Sequence, residues 1–248
     1  MATYVLVHGS QYGGWCWRPL LPLLRAAGHE VYTPTLTGLG ERSHLATPEV
    51  GQETHVLDVV NALKYEDLHD VILVGHSLGG MVITAVANDA AERLAHLVYL
   101  DAIVPEDGQS RASLMSPEGR ARMEERVRLR GDGWRNPGSE RRREASEPLL
   151  GWDAPFDSKE WERVRRVPHP YKALTEPVRL RDPAALSLPR TFIYCTRKPP
   201  GDATTHDRAP SVQRARTDPV WRYRELACGH MAMVEAPEQL AELLFEVA

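Results

Sequence analysis

The stretch that most constrains this chain is residues 71–81, VILVGHSLGGM. Residues 71–74 form a short unbroken apolar run, as expected of a strand buried on both faces of a parallel sheet. Gly75-His76-Ser77-Leu78-Gly79 then fits G-x-S-x-G, and residues 80–87 read as a buried helix. Strand, sharp turn and helix in that order give the pattern a structural meaning. Ser77 is predicted at the apex, in a strained backbone conformation tolerable only where its neighbours lack side chains, hence Gly75 and Gly79. Its hydroxyl is thereby pushed beyond the sheet edge. The N–H of Leu78, in the first turn of the helix, points into the same space and can donate to a developing oxyanion.

The rest of the chain supplies a sheet for this turn. Residues 4–7 (YVLV) read as a buried strand closed by His8-Gly9-Ser10, 15–27 as an amphipathic helix ending at Gly28, and 30–33 as a second strand. A β-α-β unit of this kind has a right-handed crossover and requires a parallel sheet. A polar loop over 34–51 follows, and 53–63 puts Val56, Val59, Val60 and Leu63 on one helical face. Strands are predicted at 96–100, 190–196 and 220–226, and a closing amphipathic helix at 237–247. The fold class is therefore α/β, a doubly wound parallel sheet of about six strands. Between residues 106 and 188 no strand is evident, and charged clusters (ARMEERVRLR, ERRRE, WERVRR) alternate with Pro, Gly and Trp134, Trp152 and Trp161. This segment reads as a helical cap inserted into a core made of 1–105 and 189–248. Because Glu and Arg alternate in the clusters, they read as solvated helix faces; the aromatic and proline residues are candidates for lining a pocket.

A serine hydroxyl is a poor nucleophile near neutral pH and needs a base, which in turn needs a partner to fix its tautomer. Among ten histidines, His230 follows the last predicted strand in the order Ser then His, and is the candidate base. His76, adjacent to the serine, is read as pointing away, and His8 as packing under the first loop; neither is assigned to proton transfer. Ser10, just past the first strand, is placed to offer its backbone N–H as a second oxyanion donor beside Leu78. The acid has two candidates. Asp101 ends the strand next to the nucleophile strand, at the carboxyl edge where open α/β sheets bind ligands. Asp202 follows the fifth strand, the usual place, but comes several residues late, after Cys195-Thr196-Arg197-Lys198-Pro199-Pro200-Gly201. Its position at a strand end favours Asp101.

At 248 residues the chain suffices for one large α/β domain with a small insertion. A net charge of −4 gives no electrostatic reason to expect nucleic acid as a partner. Three cysteines, Cys16, Cys195 and Cys228, have no metal-ligand spacing and read as buried reduced thiols. No apolar run reaches membrane-spanning length, and residue 4 opens a strand without a signal-like segment, so a cytoplasmic protein, monomeric or homodimeric, is the expectation.

Four blocks carry a family resemblance: VLVHGSQYGGWCWRPLLPLLRAAGHEV, VILVGHSLGGM, LVYLDAIVPEDG and ACGHMAMVEAPEQL. In this order they resemble the α/β-hydrolase superfamily, and within it the plant methylesterase and hydroxynitrile lyase group with its bacterial esterase relatives. The resemblance implies a serine hydrolase acting on a small or medium carboxylic ester, lactone or thioester through an acyl-enzyme on Ser77, with no cofactor or metal. The lyases of the group carry lysine directly after the catalytic histidine, whereas Met231 follows His230 here, as in the methylesterases. Plant members usually carry their acid after the later strand, which sets Asp101 apart. Two rival functions share the pocket: a lyase or cofactor-free oxygenase with His230 as base, and a non-catalytic small-molecule binding protein.

Overall fold

Every residue of the strand that leads to Ser77 is buried, so it must have paired neighbours on both edges and covered faces on both sides. The computed structural model describes residues 1–138, 159–198 and 203–248, excepting the side chains of 159, 160 and 203–207. Asp202, Trp152 and the ERRRE run at 140–144 lie outside the described residues. The strands are β1 (Thr3–Val7), β2 (Glu30–Tyr32), β3 (Val71–His76), β4 (Leu94–Leu100), β5 (Arg135–Asn136), β6 (His169–Pro170), β7 (Arg190–Cys195) and β8 (Trp221–Leu226). Six of them make one parallel sheet in the order β2-β1-β3-β4-β7-β8.

Side chains alternate across each strand, and both faces are apolar. Val5, Val7, Leu73 and Tyr99 enter one core, covered by the helices α2 (Gln52–Tyr65) and α3 (Gly79–Ala90). Tyr4, Leu6, Ile72 and Leu100 enter the other, with Leu24 of α1 (Leu21–Ala26) and Leu240 and Leu244 near the C-terminus. Each such side chain contributes about 1.5–3 kcal/mol on burial. Cys16, Cys195 and Cys228 are buried free thiols. No described helix is long and apolar enough to cross a membrane.

Three sequence expectations change. The single helix expected over 15–27 is a 3-10 turn, Gly14–Trp17, followed by α1. Pro19 and Pro22 are the reason: a proline has no N–H to continue a helix but is accommodated in a first turn, where Pro22 lies. Between β4 and β7 the chain forms α4 (Pro117–Arg130), α5 (Lys159–Arg165), α6 (Tyr171–Thr175) and α7 (Ala184–Ser187), but also a small antiparallel sheet of β5 and β6 where no strand is evident in the sequence. Finally, α8 (Ala203–Thr217) crosses from β7 to β8; its interior Pro210 hides the helical pattern. The chain closes with α9 (Ala232–Glu235) and α10 (Pro237–Phe245).

Four histidines, His8, His55, His76 and His169, are at most 1% exposed. His8 accepts from the Leu36 N–H at Nε2 (3.1 Å) and donates through Nδ1 to the Gly9 carbonyl (2.8 Å). His55 donates to the Thr37 carbonyl (3.0 Å), and the Gln11 N–H donates to His169 Nδ1 (3.4 Å). A ring nitrogen that accepts a hydrogen bond carries no proton, so His8 and His169 are neutral in these contacts. Burial, above all, lowers the pKa values of all four, that of His8 to about 4, those of His76 and His169 well below the ordinary value, and that of His55 in the same direction.

Two outcomes follow from this packing. A Cβ on Gly79 would lie 2.7 Å from the Val7 carbonyl oxygen and 2.8 Å from that of His8. Gly79→Ala should therefore lower the urea-unfolding free energy by about 1–3 kcal/mol; an unchanged midpoint would mean that the turn relaxes freely. The histidines bind more protons unfolded, near pH 6.5, than folded, so their contribution is intact above about pH 6.5 and lost as pH falls through the lowered values. Stability should fall by up to about 1.4 kcal/mol per pH unit for each of them. Urea midpoints between pH 7.5 and 5 measure this, and a flat profile would contradict the neutral rings.

Candidate active site

Ser77 occupies the turn between β3 and α3 with φ +55°, in the left-handed region that a β-carbon disfavours. The turn persists because its backbone is fastened on each side. The Ser77 N–H donates to the Leu100 carbonyl (3.1 Å), and the Ser77 carbonyl accepts from Gly80 (3.2 Å) and Ile103 (3.0 Å). A Cβ on Gly75 would stand 2.7 Å from the Gly79 oxygen, so the strand and helix approach too closely for any side chain there. Ser77 borders two cavities. One, of about 150 Å³, is also lined by Ser10 and Leu78. The other is open, about 1060 Å³, and is lined by Ser10, His76, Lys198 and His230 among others. Among the described residues the N–H groups of Ser10 and Leu78 have no acceptor.

The register of the sheet sets the next member. His76 pairs with Leu100, so the chain emerges at Ser77 from β3 and at Asp101 from the adjoining β4. Asp101 also has a left-handed backbone, φ +43°, and its N–H donates to the Ile193 carbonyl at 2.7 Å. Its side chain is fully buried. Cys195 pairs with Leu226 across β7 and β8, and the Arg197 N–H donates to the Cys228 carbonyl (2.9 Å), which holds the two following loops together over Asp101. From one comes Lys198, from the other His230.

Asp101 Oδ2 is the meeting point. It accepts from His230 Nδ1 at 2.6 Å and from Lys198 Nζ, while Arg208 of α8 stands 3.7 Å away. Burial acts to raise the Asp101 pKa, but the His230 hydrogen bond and the charges of Arg208 and Lys198 outweigh it and hold the carboxyl well below the usual range. An ionised carboxylate only accepts, so Nδ1 carries the imidazole proton and Nε2 is left as a base. Burial lowers the His230 pKa, and the Arg208 charge adds to this against the raising effect of Asp101. Arg208 Nη1 is 3.5 Å from Nε2. Ser77 and His230 line the same open cavity, without a hydrogen bond between their side chains among the described residues; such contacts are commonly loose before substrate binds.

His76 is turned to the histidine loop and not to Ser77, as the sequence reading has it. Its ring lies 4.4 Å from that of His230, and its Nε2 donates to the His230 carbonyl at 2.9 Å. The adjacent strand end turns it beneath the histidine loop rather than toward Ser77. The loop that carries Ser10 is held from the segment between β4 and β7. Gln11, at φ +70°, accepts from Arg166 (2.6 Å) at its side chain and from the Val167 N–H (3.1 Å) at its carbonyl. Tyr12 donates to Glu162. Trp161 meets Trp15 edge-on at 5.0 Å; Trp161 and Trp134 line neither cavity at Ser77. Conversely, Arg126, from a run read as a solvated face, lines the small cavity. Sequence reasoning missed Lys198 and Arg208. The signal for Arg208 was the obligatory crossover between two parallel strands.

The chain matches the model of the alpha/beta hydrolase family over residues 4–243. It is 37% identical over 253 residues to a carbendazim hydrolyzing esterase of Nocardioides sp. (strain SG-4G), covering 98% of both chains. It is 33% identical over 120 residues to Methylesterase 1 of Arabidopsis thaliana, covering 47% of this chain and 45% of that one. Among solved structures, an extracellular alpha/beta-hydrolase from a Paenibacillus species, described as sharing structural and functional homology with tobacco Salicylic Acid Binding Protein 2, superposes with a TM-score of 0.78 at 28% identity, covering 100% of this chain and 99% of that one. With the sheet order, the turn at Ser77 and a family match along nearly its whole length, the chain belongs to the α/β-hydrolase family.

Proposed function

We propose that this protein hydrolyses a carboxylic ester through an acyl-enzyme on Ser77, with His230 as base and Asp101 as the acid that orients it. The observation that carries this reading is the convergence on one site of Ser77, a histidine bonded through Nδ1 to a buried carboxylate, and two backbone N–H groups without acceptors among the described residues. The esterase names of its relatives support the reaction class. Met231 after His230, rather than lysine, favours hydrolysis over cyanohydrin cleavage.

Ser77 Oγ attacks the carbonyl carbon while His230 Nε2 takes its proton. The carbonyl oxygen gains the charge and is held by the N–H groups of Ser10 and Leu78, each worth about 3 kcal/mol of barrier. As the C–O bond breaks, the imidazolium returns its proton to the departing alkoxide; Asp101 stays ionised throughout. Water, deprotonated by His230, then attacks the acyl carbon, releasing the acid and restoring Ser77. The proton is easily returned because burial and Arg208 disfavour a charged His230. Residues 106–188 act as a cap over the core of 1–105 and 189–248. Its Arg111, Met123, Arg126 and Leu174 wall the small cavity.

A fluorophosphonate should label Ser77, as mapped by peptide mass spectrometry. Ser77→Ala should lower turnover of 4-nitrophenyl acetate by on the order of 10⁶; near-normal activity would end the acyl-enzyme reading. Asp101→Asn should cost about four orders of magnitude, with circular dichroism confirming a retained fold, and Asp202→Asn no more than a few-fold. The reverse pattern would transfer the acid role to Asp202.

A further inference from the structure

The small cavity beside Ser77 has an unusual wall. Ser77, Leu78 and Ser10 line it together with Arg111, Arg126 and Arg208, and its lining among the described residues includes no Asp or Glu. We propose that this cavity is an anion pocket and that the substrate is a half-ester of a short dicarboxylic acid, its free carboxylate held by Arg126. The proposal rests on the esterase reading and names the substrate class for it.

Arg126 carries most of the weight. On α4 it lies between Met123 and Val127, both at most 3% exposed, which turns this side of the helix inward. Its Nε is buried without a hydrogen-bond partner, and among the described residues no carboxylate pairs with it. Burial and then the like charges of Arg122 and Arg130, one turn away on either side, hold its guanidinium below the ordinary value. It is nonetheless a cation at neutral pH. A partly buried cation among cations is costly until an anion reaches it. Asp101, the carboxylate of the Ser77 site, already serves His230, Lys198 and Arg208. The chain as a whole is acidic, at −4, so the gathering of three arginines on one cavity does not follow from composition. A guanidinium fork matches a carboxylate in two parallel hydrogen bonds.

Geometry assigns the anion to the acyl side. The leaving oxygen must face His230 to receive its proton, and His230 lines the open cavity but not the small one. The acyl chain therefore enters the small cavity, past the N–H groups of Ser10 and Leu78. Its volume of about 150 Å³ equals roughly five water molecules at about 30 Å³ each, which fits an acyl chain of four or five carbons ending in a carboxylate.

The test compares monomethyl glutarate with methyl pentanoate, which share acyl length and leaving group, by methanol release. The wild-type kcat/KM should favour the anionic ester about tenfold or more at low ionic strength, with the preference shrinking as salt is added. Arg126→Gln should bring the ratio close to one, and Arg126→Lys should restore part of it. Hydrolysis of methyl pentanoate without preference, or a ratio unchanged in Arg126→Gln, overturns the anion pocket and leaves the esterase reading standing. If neither ester is cleaved and Ser77 takes no fluorophosphonate, the esterase reading fails, and calorimetric titration with glutarate decides the pocket. Saturable binding weakened about tenfold by Arg126→Gln sustains it; no binding in the millimolar range overturns it.

Discussion

The pairing of His76 with Leu100 across β3 and β4 is the constraint from which the site descends. Parallel strands in this register end level with one another, so the residues that follow, Ser77 and Asp101, leave the sheet side by side. Both turn off through left-handed backbone, and hydrogen bonds from each to the neighbouring strand keep them there. The same edge, continued through β7 and β8, delivers Lys198 and His230. A slip of one residue would exchange the two faces of a strand, and with both faces packed against helices no such slip is tolerated.

What gathers at that edge is a buried carboxylate among nitrogen donors. Asp101 has no exposed surface, and an isolated charge in that position would cost several kcal/mol. The His230 hydrogen bond, Lys198 and Arg208 offset this and keep it ionised. Buried ion pairs contribute little net stability; the effect here is to fix orientation. His230 and Lys198 share one oxygen, Oδ2, which directs Nε2 toward the cavity. Arg208, close to that nitrogen, disfavours a second proton on the ring, and His76 holds the loop from beneath through the His230 carbonyl.

The described part of the segment between β4 and β7 also acts on the site. Arg166, Val167 and Glu162 grip Gln11 and Tyr12, the residues directly after Ser10. The N–H of Ser10 is thus fixed by chain contributed more than a hundred residues away. The helix α4 has two characters: an outer face of exposed arginines and glutamates, and an inner one where Met123 and Val127 are packed and Arg126 reaches the cavity wall.

Local rules made the central part of this chain legible. Apolar runs of strand length, the Gly75-His76-Ser77-Leu78-Gly79 turn and the closing helix each have causes within a few residues, so the six-stranded sheet, the turn at Ser77 and the position of His230 past the last strand could be read directly. Where a competing local signal intervened the reading failed, as at Pro19 and Pro22 in the first helix and Pro210 in α8. The inward turn of Arg126 and the place of His76 beneath His230 were not legible, because an Arg in a charged run and a His beside a serine look the same whether they face solvent or a partner. Nor could the sequence bring Lys198 and Arg208 to Asp101, residues about a hundred positions apart along the chain. That depends on strand order and register, which fix distances between segments through the packing of the whole sheet, and no local pattern encodes them.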